Sequence, residues 1–327
     1  MKQHFVPRCY LKRFSDNEKY IYTYDKITSK SYKASLMSVC CEDDMYSLSD
    51  EYVRKTKEEE GQDINNLSIE KEHFAKCVEP MYAQLLVQID EIKDDWVTGK
   101  EKYRFSYNEK LELALHIVTQ YLRHPLIGEA EVDNYLRFEQ ASVDMFKHIM
   151  AKQTGNDGLD QLKIKVECEK PALHAMITYM DYDELMKCAD LMAKDIFVFW
   201  VSKGNDFYTS DFPICVEPHV KDVAYSYSGL VQYGGEIMMS LSPSLAVSIY
   251  NREYFTYKEN EDSCFVIADD KEVRRHNYMN YFYAQRHVFS YKNDFGLIDF
   301  AYQSNGGKHN FMTPHLKANI VSGLGKY

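Results

Sequence analysis

The sequence predicts an α+β fold in which a helical middle region packs with a small, mainly antiparallel sheet. Apolar residues recur at helical spacing through residues 68–195, whereas the flanking segments contain short runs rich in Tyr, Val, Ile and Phe. The chain has only 14 Gly and 8 Pro, and no segment has the composition of a linker. We therefore predict a single compact domain over residues 1–327.

The N-terminal β segment, residues 1–50, is predicted to contain a hairpin. Between residues 20 and 25, tyrosines alternate with other residues in the period of two that is typical of a strand. Residues 26–30 are expected to form the turn and residues 31–35 the returning strand. The charged and aperiodic residues 51–66 are expected to form an exposed loop or a frayed helix.

The helical region, residues 68–195, carries several start and stop signals. Ser106 followed by Glu109 is a capping box, which satisfies backbone groups at a helix start. Because proline disrupts a helix interior, Pro80 should kink or split the first helix, 68–96, and Pro125 should end or kink the second. Further helices are expected over 128–150, from Pro171 onward and from Asp181 to about Lys194. In the helix over 128–150, the residues predicted to face the core are Val132, Tyr135, Leu136, Val143, Phe146 and Met150.

The last region, residues 196–327, is predicted to be rich in β-structure with one helix near 270–285. Asp269 with Glu272 supplies the cap of that helix. Residues 196–201 and 207–210 flank a polar segment and are expected to form a hairpin. The remaining strands are expected at 236–242, 264–268 and 286–291.

The composition is that of a soluble globular protein, with 45% hydrophobic and 27% charged residues. The net charge of −11 argues against a broad electrostatic clamp on DNA but leaves room for local basic patches. Eight cysteines without a C-x-x-C motif fit neither a zinc framework nor a disulfide scaffold. The first residues lack the apolar region of a signal peptide, and the longest apolar run, 196–201, is too short to cross a membrane. We therefore expect a cytoplasmic protein with reduced thiols and no membrane partner.

The predicted helix that begins after Ser106 has the most informative polar face. Its polar side chains at i, i+4, i+8 and i+11 fall on one side and are Glu112, His116, Gln120 and Arg123. Such a face could hold a phosphate or a carboxylate, with the guanidinium of Arg123 supplying two parallel hydrogen bonds. The alternative is that it is the solvent face of an amphipathic helix.

Three further segments carry candidate side chains. The turn around Asp211 exposes a carboxylate that could act as a general base or a metal ligand, or that only satisfies its own backbone. His4 lies close to the N-terminus. Asn277 and Asn280 share a face of the predicted helix, and Arg286 lies at its end.

The familiar nucleotide-binding and hydrolase motifs are absent from the sequence. No group of His, Cys and Asp has a short metal-ligand spacing, so the cofactor is left open. A divalent metal held by distant carboxylates, such as Asp211 with Glu79 or Glu112, is an alternative.

Short motifs stand in a characteristic order along residues 3–290. They are Gln3, His4, Phe5, Val6 and Pro7 with Tyr10, Leu11 and Phe14; then Gln120, Arg123 and Pro125; then Thr209, Ser210, Asp211 and Pro213; then Leu241, Ser242 and Pro243; and finally Asn277 or Asn280 with Arg286. This series resembles the bacterial domain of unknown function 4238 family. Where the family has Asn before the proline of the third motif, this chain has Phe212. The family has no assigned function, so the resemblance implies a set of residues and not a reaction.

The polar residues of this pattern come from distant segments, which favours a shared pocket. The leading hypothesis is a hydrolase or nuclease-like enzyme that acts on a phosphate-containing substrate, such as a nucleotide or a locally bound nucleic acid. Its predicted catalytic residues are His4, Gln120, Arg123 and Asp211. Its predicted substrate-binding residues are Thr209, Ser210, Asn277, Asn280 and Arg286.

Whether the protein is an enzyme stays open at this point, because two alternatives remain. One is a non-catalytic module that senses a nucleotide or an anion, or binds a protein partner, in a phage-defence or toxin-associated system. The other is a buried polar network that only ties the segments of the fold together. The oligomeric state is left open.

Overall fold

The computed structural model describes residues 1–100, 102–204, 206–220 and 229–311, together with the backbone of 321–322 and 325–326. Elements of the N-terminal segment are strand β1 (Lys2–His4), helix α1 (Arg8–Leu11), and strands β2 (Tyr20–Asp25), β3 (Lys30–Ser35) and β4 (Cys41–Asp43). Strand β1 pairs antiparallel with β4.

The predicted N-terminal hairpin is confirmed. Strands β2 and β3 pair antiparallel, from Tyr20 opposite Ser35 to Asp25 opposite Lys30. Ile21 is fully buried, whereas Tyr20 is exposed, as the period of two requires. The hairpin joins a larger sheet through the other edge of β2.

Helical segments occupy most of residues 50–193. They are α2 (Asp50–Glu60), a π-helical segment (Ile69–Val78), α3 (Glu79–Val97), α4 (Tyr107–Leu122), α5 (Pro125–Thr154), α6 (Lys170–Ile177) and α7 (Tyr182–Ala193). The capping box is confirmed, since Ser106 accepts the backbone N–H of Glu109, and Glu109 accepts that of Ser106. Pro125 stands in the first turn of α5, where a proline loses no hydrogen bond. Pro80 lies where the π-helical segment passes directly into α3, so the predicted first helix is divided there into two kinds of helix.

Between residues 194 and 311, the described residues form seven strands, which belong to two sheets, and two α-helices. The strands are β5 (Ile196–Val201), β6 (Thr209–Ser210), β7 (Cys215–Pro218), β8 (Gly235–Ser242), β9 (Leu245–Tyr250), β10 (Cys264–Ile267) and β11 (His287–Ser290), and the helices are α8 (Asp270–Tyr283) and α9 (Gly296–Ser304). One sheet has the order β10-β5-β9-β8-β7, and only its β10–β5 pair is parallel. The other has the order β3-β2-β11-β6 and is antiparallel. The chain is therefore α+β, as predicted. A short antiparallel pair, β12 (Val321–Ser322) with β13 (Gly325–Lys326), follows.

The predicted hairpin between residues 196–201 and 207–210 is wrong. Strand β5 is central in its sheet, with β9 on one side and β10 on the other. Both of its edges are occupied, so the following strand has no free edge to join. Thr209 pairs instead with Phe289 in the second sheet. The apolar run of β5 is that of a strand buried on both faces.

The predicted inward face of the helix over 128–150 is only partly confirmed. Val132 is buried, but Tyr135 and Phe146 are exposed. Periodicity identifies an apolar face but does not say what covers it: Leu136, Val143 and Met150 are half-buried, and Val143 and Met150 lie beside residues 159–164. Helix α9 follows β11, the last element that the sequence predicts.

Helix α8 is the element that connects the two sheets. It packs against β6 of the four-stranded sheet, β7 and β8 of the five-stranded sheet, and α9. Helices α4 and α7 contribute side chains to the core cluster that also contains residues of the five-stranded sheet. Within the described residues, no helix combines the length and the apolar character needed to cross a bilayer.

Candidate functional site

Of the nine residues predicted from the sequence as site residues, eight are buried. The exception is Arg286, whose side chain is half-exposed. A buried polar side chain must find partners within the protein, and those partners show what each residue holds in place.

Arg123 is one of the largest fully buried side chains of the protein. Its guanidinium forms an ion pair with Glu79 (Nη1 to Oε1, 3.2 Å), donates to the carbonyl of His4 and lies 3.9 Å from the ring centroid of Phe74. The hydroxyl of Tyr46 donates to the Arg123 carbonyl over 3.1 Å. Arg123 therefore joins the N-terminal strand to the start of α3 and the end of α4.

Asp211 follows β6 and is buried. One carboxylate oxygen accepts the backbone N–H of Gln285, and the other accepts those of Arg286 and His287, each over 2.8 Å. Burial nevertheless raises the pKa of Asp211 to about 6. The carboxylate holds the loop between α8 and β11.

His124 connects these two regions. Its Nε2 lies 3.1 Å from the carbonyl oxygen of Asp211, and its Nδ1 accepts the backbone N–H of Leu126 at the start of α5. Nδ1 therefore carries no proton, and Nε2–H is the donor to Asp211. Burial lowers the pKa of His124 to about 3, so the ring is neutral at pH 7.

The other predicted catalytic residues point into packed surroundings. The His4 ring lies 3.1 Å (Nε2) from the carbonyl oxygen of Leu36, and burial lowers its pKa. Gln120 has no hydrogen-bond partner among the described residues for either amide atom. It borders a cavity of about 10 Å³, which has room for about one water molecule.

The predicted substrate-binding residues also contact protein groups. Thr209 Oγ1 lies 2.6 Å from the hydroxyl of Tyr10, and Ser210 accepts the backbone N–H of Phe212. Asn277 accepts the backbone N–H of Tyr208 over 2.7 Å and donates to the carbonyl of Asp206. Asn280 donates to the carbonyl of His276, and Arg286 pairs with Asp25 over 2.9 Å.

Some of the nine predicted site residues thus contact each other in pairs, but the nine do not surround one cavity. His4 meets Arg123, and Asp211 meets Arg286, each through backbone groups. The alternative of a solvent face along α4 is wrong for His116, Gln120 and Arg123, which are buried, whereas Glu112 is exposed.

Comparison with known families agrees with the family resemblance of the sequence. A family model described as "Protein of unknown function (DUF4238)" matches residues 2–294. The chain belongs to this family. Comparison with curated proteins and with solved structures gives no match. The DUF4238 match covers all nine predicted residues and the whole of α8, but ends before α9.

A groove of about 1100 Å³ lies between α8 and α9. Its lining comes from these helices and the segments beside them: Asp206, Tyr208, Lys271, Val273, Arg274, Arg275, Asn277, Tyr278, Ser290, Lys292, Asp294, Gly296, Leu297, Phe300, Ala301, Ser304, Asn305 and Asn310. Asn277 is the one residue of the predicted set in this lining. We call this cavity the α8–α9 groove.

Four cationic side chains line the α8–α9 groove, and two of them are engaged. Lys292 pairs with Asp206 over 2.7 Å. Arg275 is bonded to Glu236 and Glu217 behind the groove. Lys271 and Arg274 have no ion-pair or hydrogen-bond partner among the described residues.

A group of side chains near Arg275 has the composition of a metal site. Ligand atoms of Glu217, His219 and Glu236 lie within 4.8 Å of one another. The guanidinium of Arg275 bonds both carboxylates, and His219 Nε2 lies 2.9 Å from Glu236. The positive charge that these carboxylates require is therefore already supplied by Arg275 and His219, and the cofactor of this protein is left open.

Sequence reasoning missed the groove although one signal was present. Lys271, Arg274 and Tyr278 stand at i, i+3 and i+7 of a correctly predicted helix, so they share a face. The opposite wall, α9, was not predicted, and without it the basic face of α8 has no concave shape.

We expect Arg123→Met to lower the free energy of unfolding by about 3–5 kcal/mol, because it leaves the partners of a buried charge without compensation. Urea denaturation measures this. The matched control is Arg54→Met, which removes an exposed pair with Glu58 and should cost less than about 0.5 kcal/mol. A loss below about 1 kcal/mol for Arg123→Met would contradict its structural role.

We expect His124→Asn to reduce the loss of stability in acid. The folded-state pKa of His124 lies below its ordinary value of 6.5, so the unfolded chain takes up a proton first, and stability falls as the pH drops from about 6.5 to about 3. Asparagine keeps an acceptor for the Leu126 N–H but does not titrate. A plot of unfolding free energy against pH between 4 and 6 should become shallower by about 1.4 kcal/mol per pH unit. Equal slopes for both proteins would refute this assignment.

Proposed function

We propose that the protein binds a phosphate-containing ligand, a nucleotide or a short length of single-stranded nucleic acid, in the α8–α9 groove. The observation that carries the proposal is the pair of cationic side chains, Lys271 and Arg274, which line this groove and have no partner among the described residues. Lysine and arginine are the usual phosphate ligands, and arginine can donate two parallel hydrogen bonds.

The remaining lining supports a ligand that also carries an aromatic base. Tyr278 of α8 and Phe300 of α9 both line the groove and are exposed, Phe300 to 72%. Exposed aromatic rings are stacking platforms for bases in single-stranded nucleic acids, and this contact tolerates any sequence. Asn305 and Asn310 also line the groove, where the Asn305 amide donates to Asn310 over 2.9 Å.

The overall charge limits the kind of ligand binding that is proposed. A net charge of −11 repels phosphate at long range, so the attraction must come from the groove itself. This favours a nucleotide or a few nucleotides over a long duplex.

The geometry supports binding more directly than it supports catalysis. The four residues predicted as catalytic do not line the groove, and its two carboxylates have partners: Asp206 pairs with Lys292, and Asp294 accepts the backbone N–H of Gly296. Hydrolysis by His4, Gln120, Arg123 and Asp211 stays a prediction. The cytoplasmic location and the defence setting also stay predictions.

Charge reversal in the groove should abolish most of the binding. We expect Lys271→Glu with Arg274→Glu to weaken binding of ATP and of a fluorescein-labelled eight-nucleotide oligothymidylate by at least about 100-fold, because two charge-assisted contacts are lost. For the oligonucleotide, the slope of log affinity against log salt should fall by about 1.4. Fluorescence anisotropy and calorimetry measure these quantities.

The control for this variant is Lys102→Glu with Lys163→Glu. Both control residues are exposed and outside the groove, and the change in net charge is the same. Equal weakening by the two double variants would show that overall charge and not the groove controls affinity. Absence of binding by the unaltered protein to both probes would reject the proposal.

A further inference from the structure

Helix α5 presents an apolar stripe to solvent. Tyr135, Phe138, Met145 and Ile149 follow the spacing of a coiled-coil seam with Ser142 at its centre, and Phe146 lies beside them. All five apolar side chains are exposed, Phe138 to 59% and Phe146 to 63%. We call these residues with Ser142 the α5 stripe.

Another face of α5 is already covered by this chain. The segment that follows α5 runs back along the helix, where Gln140 donates to the carbonyl of Ile164 over 2.9 Å, and Lys147 to that of Leu162 over 2.6 Å. The α5 stripe remains exposed after this packing. Nothing else among the described residues covers it.

We propose that the α5 stripe is a dimer interface at which the α5 helices of two copies of this chain pack antiparallel. A two-fold axis would pass close to Ser142. Residues at equal distances on either side then meet, so that Tyr135 lies opposite Ile149 of the second copy and Phe138 opposite Phe146 of the second copy.

The charges at the ends of the stripe select this orientation. Glu131 lies at the N-terminal end of the same face, and Lys152 at its C-terminal end. Lys152 is exposed and has no ion-pair partner among the described residues. Antiparallel packing places each Glu131 near Lys152 of the second copy. Parallel packing would place like charges together at both ends, which is unfavourable.

The centre of the stripe suits a close approach of two helices. Ser142 is small, and its hydroxyl donates to the carbonyl of Phe138, so it brings no unpaired polar group into the interface. Beside it lies an apolar groove of about 440 Å³ between α5 and residues 159–164, lined in part by Phe146 and Leu162. Phe138 of the second copy would face this groove.

The exposed area is sufficient for a weak specific dimer. Large apolar side chains bury about 150–250 Å² each, and the exposed fractions of the stripe leave roughly 500 Å² of apolar surface per copy. Two copies would bury roughly 1,000 Å² of it, near the lower limit for a specific interface. A micromolar dissociation constant is expected.

Sedimentation velocity of the full chain between about 1 and 100 μM tests the proposal. The unaltered protein should shift from monomer to dimer over this range, whereas Phe138→Glu should stay monomeric. Tyr257→Glu, which places a charge at an exposed aromatic residue outside the stripe, should dimerise normally. A monomer at 100 μM, or an undiminished dimer in Phe138→Glu, would overturn the proposal.

A charge exchange tests the orientation. Glu131→Lys and Lys152→Glu alone should each weaken dimerisation about fivefold, and the double variant should restore it, because each end again joins opposite charges. Circular dichroism confirms that each variant is folded. A folded double variant that dimerises no better than the single variants would overturn the antiparallel arrangement.

Discussion

The buried carboxylate of Asp211 is the constraint on which the arrangement of the C-terminal half depends. Taking a carboxylate out of water is costly, and three backbone N–H groups from residues 285–287 offset that cost. At the same junction, Lys26 donates to the carbonyls of Tyr281 and Ala284 at the end of α8, and burial lowers its pKa to about 8. The end of α8 is therefore fixed by opposite charges on two different strand ends.

Helix α8 has two roles, one at each end. Its C-terminal end is held by Asp211 and Lys26, whereas Lys271, Arg274 and Tyr278 line the groove nearer its N-terminal end. Asn277 belongs to both parts, since it bonds the backbone on either side of Phe207 and also lines the cavity. Asp211 and Asn277 thus hold in place the helix that forms one wall of the groove. That is a reason why scattered polar motifs need not mark the place where a ligand binds.

Features that depend on neighbouring residues were predictable from the sequence. The capping box at Ser106 and Glu109, the proline at the start of α5 and the β2–β3 hairpin all follow from contacts within a few residues. Features that depend on contacts between residues far apart in the sequence were not predictable. Strand β5 has a partner on each side, so Thr209 had to pair elsewhere. The partners of Arg123 come from segments more than 40 residues away in the sequence. The polarity of Arg123 alone therefore did not distinguish a buried structural contact from a ligand-binding residue.

The central claim is that ligands bind at the α8–α9 groove and not among the buried polar residues. Hydrogen–deuterium exchange of the full chain, with and without saturating oligothymidylate, tests it most directly, because exchange slows where a ligand orders or covers the backbone. The account predicts slower exchange in α8 from residue 271 to 278 and in α9, with the segments around His4 and Asp211 unchanged. Slower exchange confined to the segments around His4, Gln120 and Asp211 would contradict it.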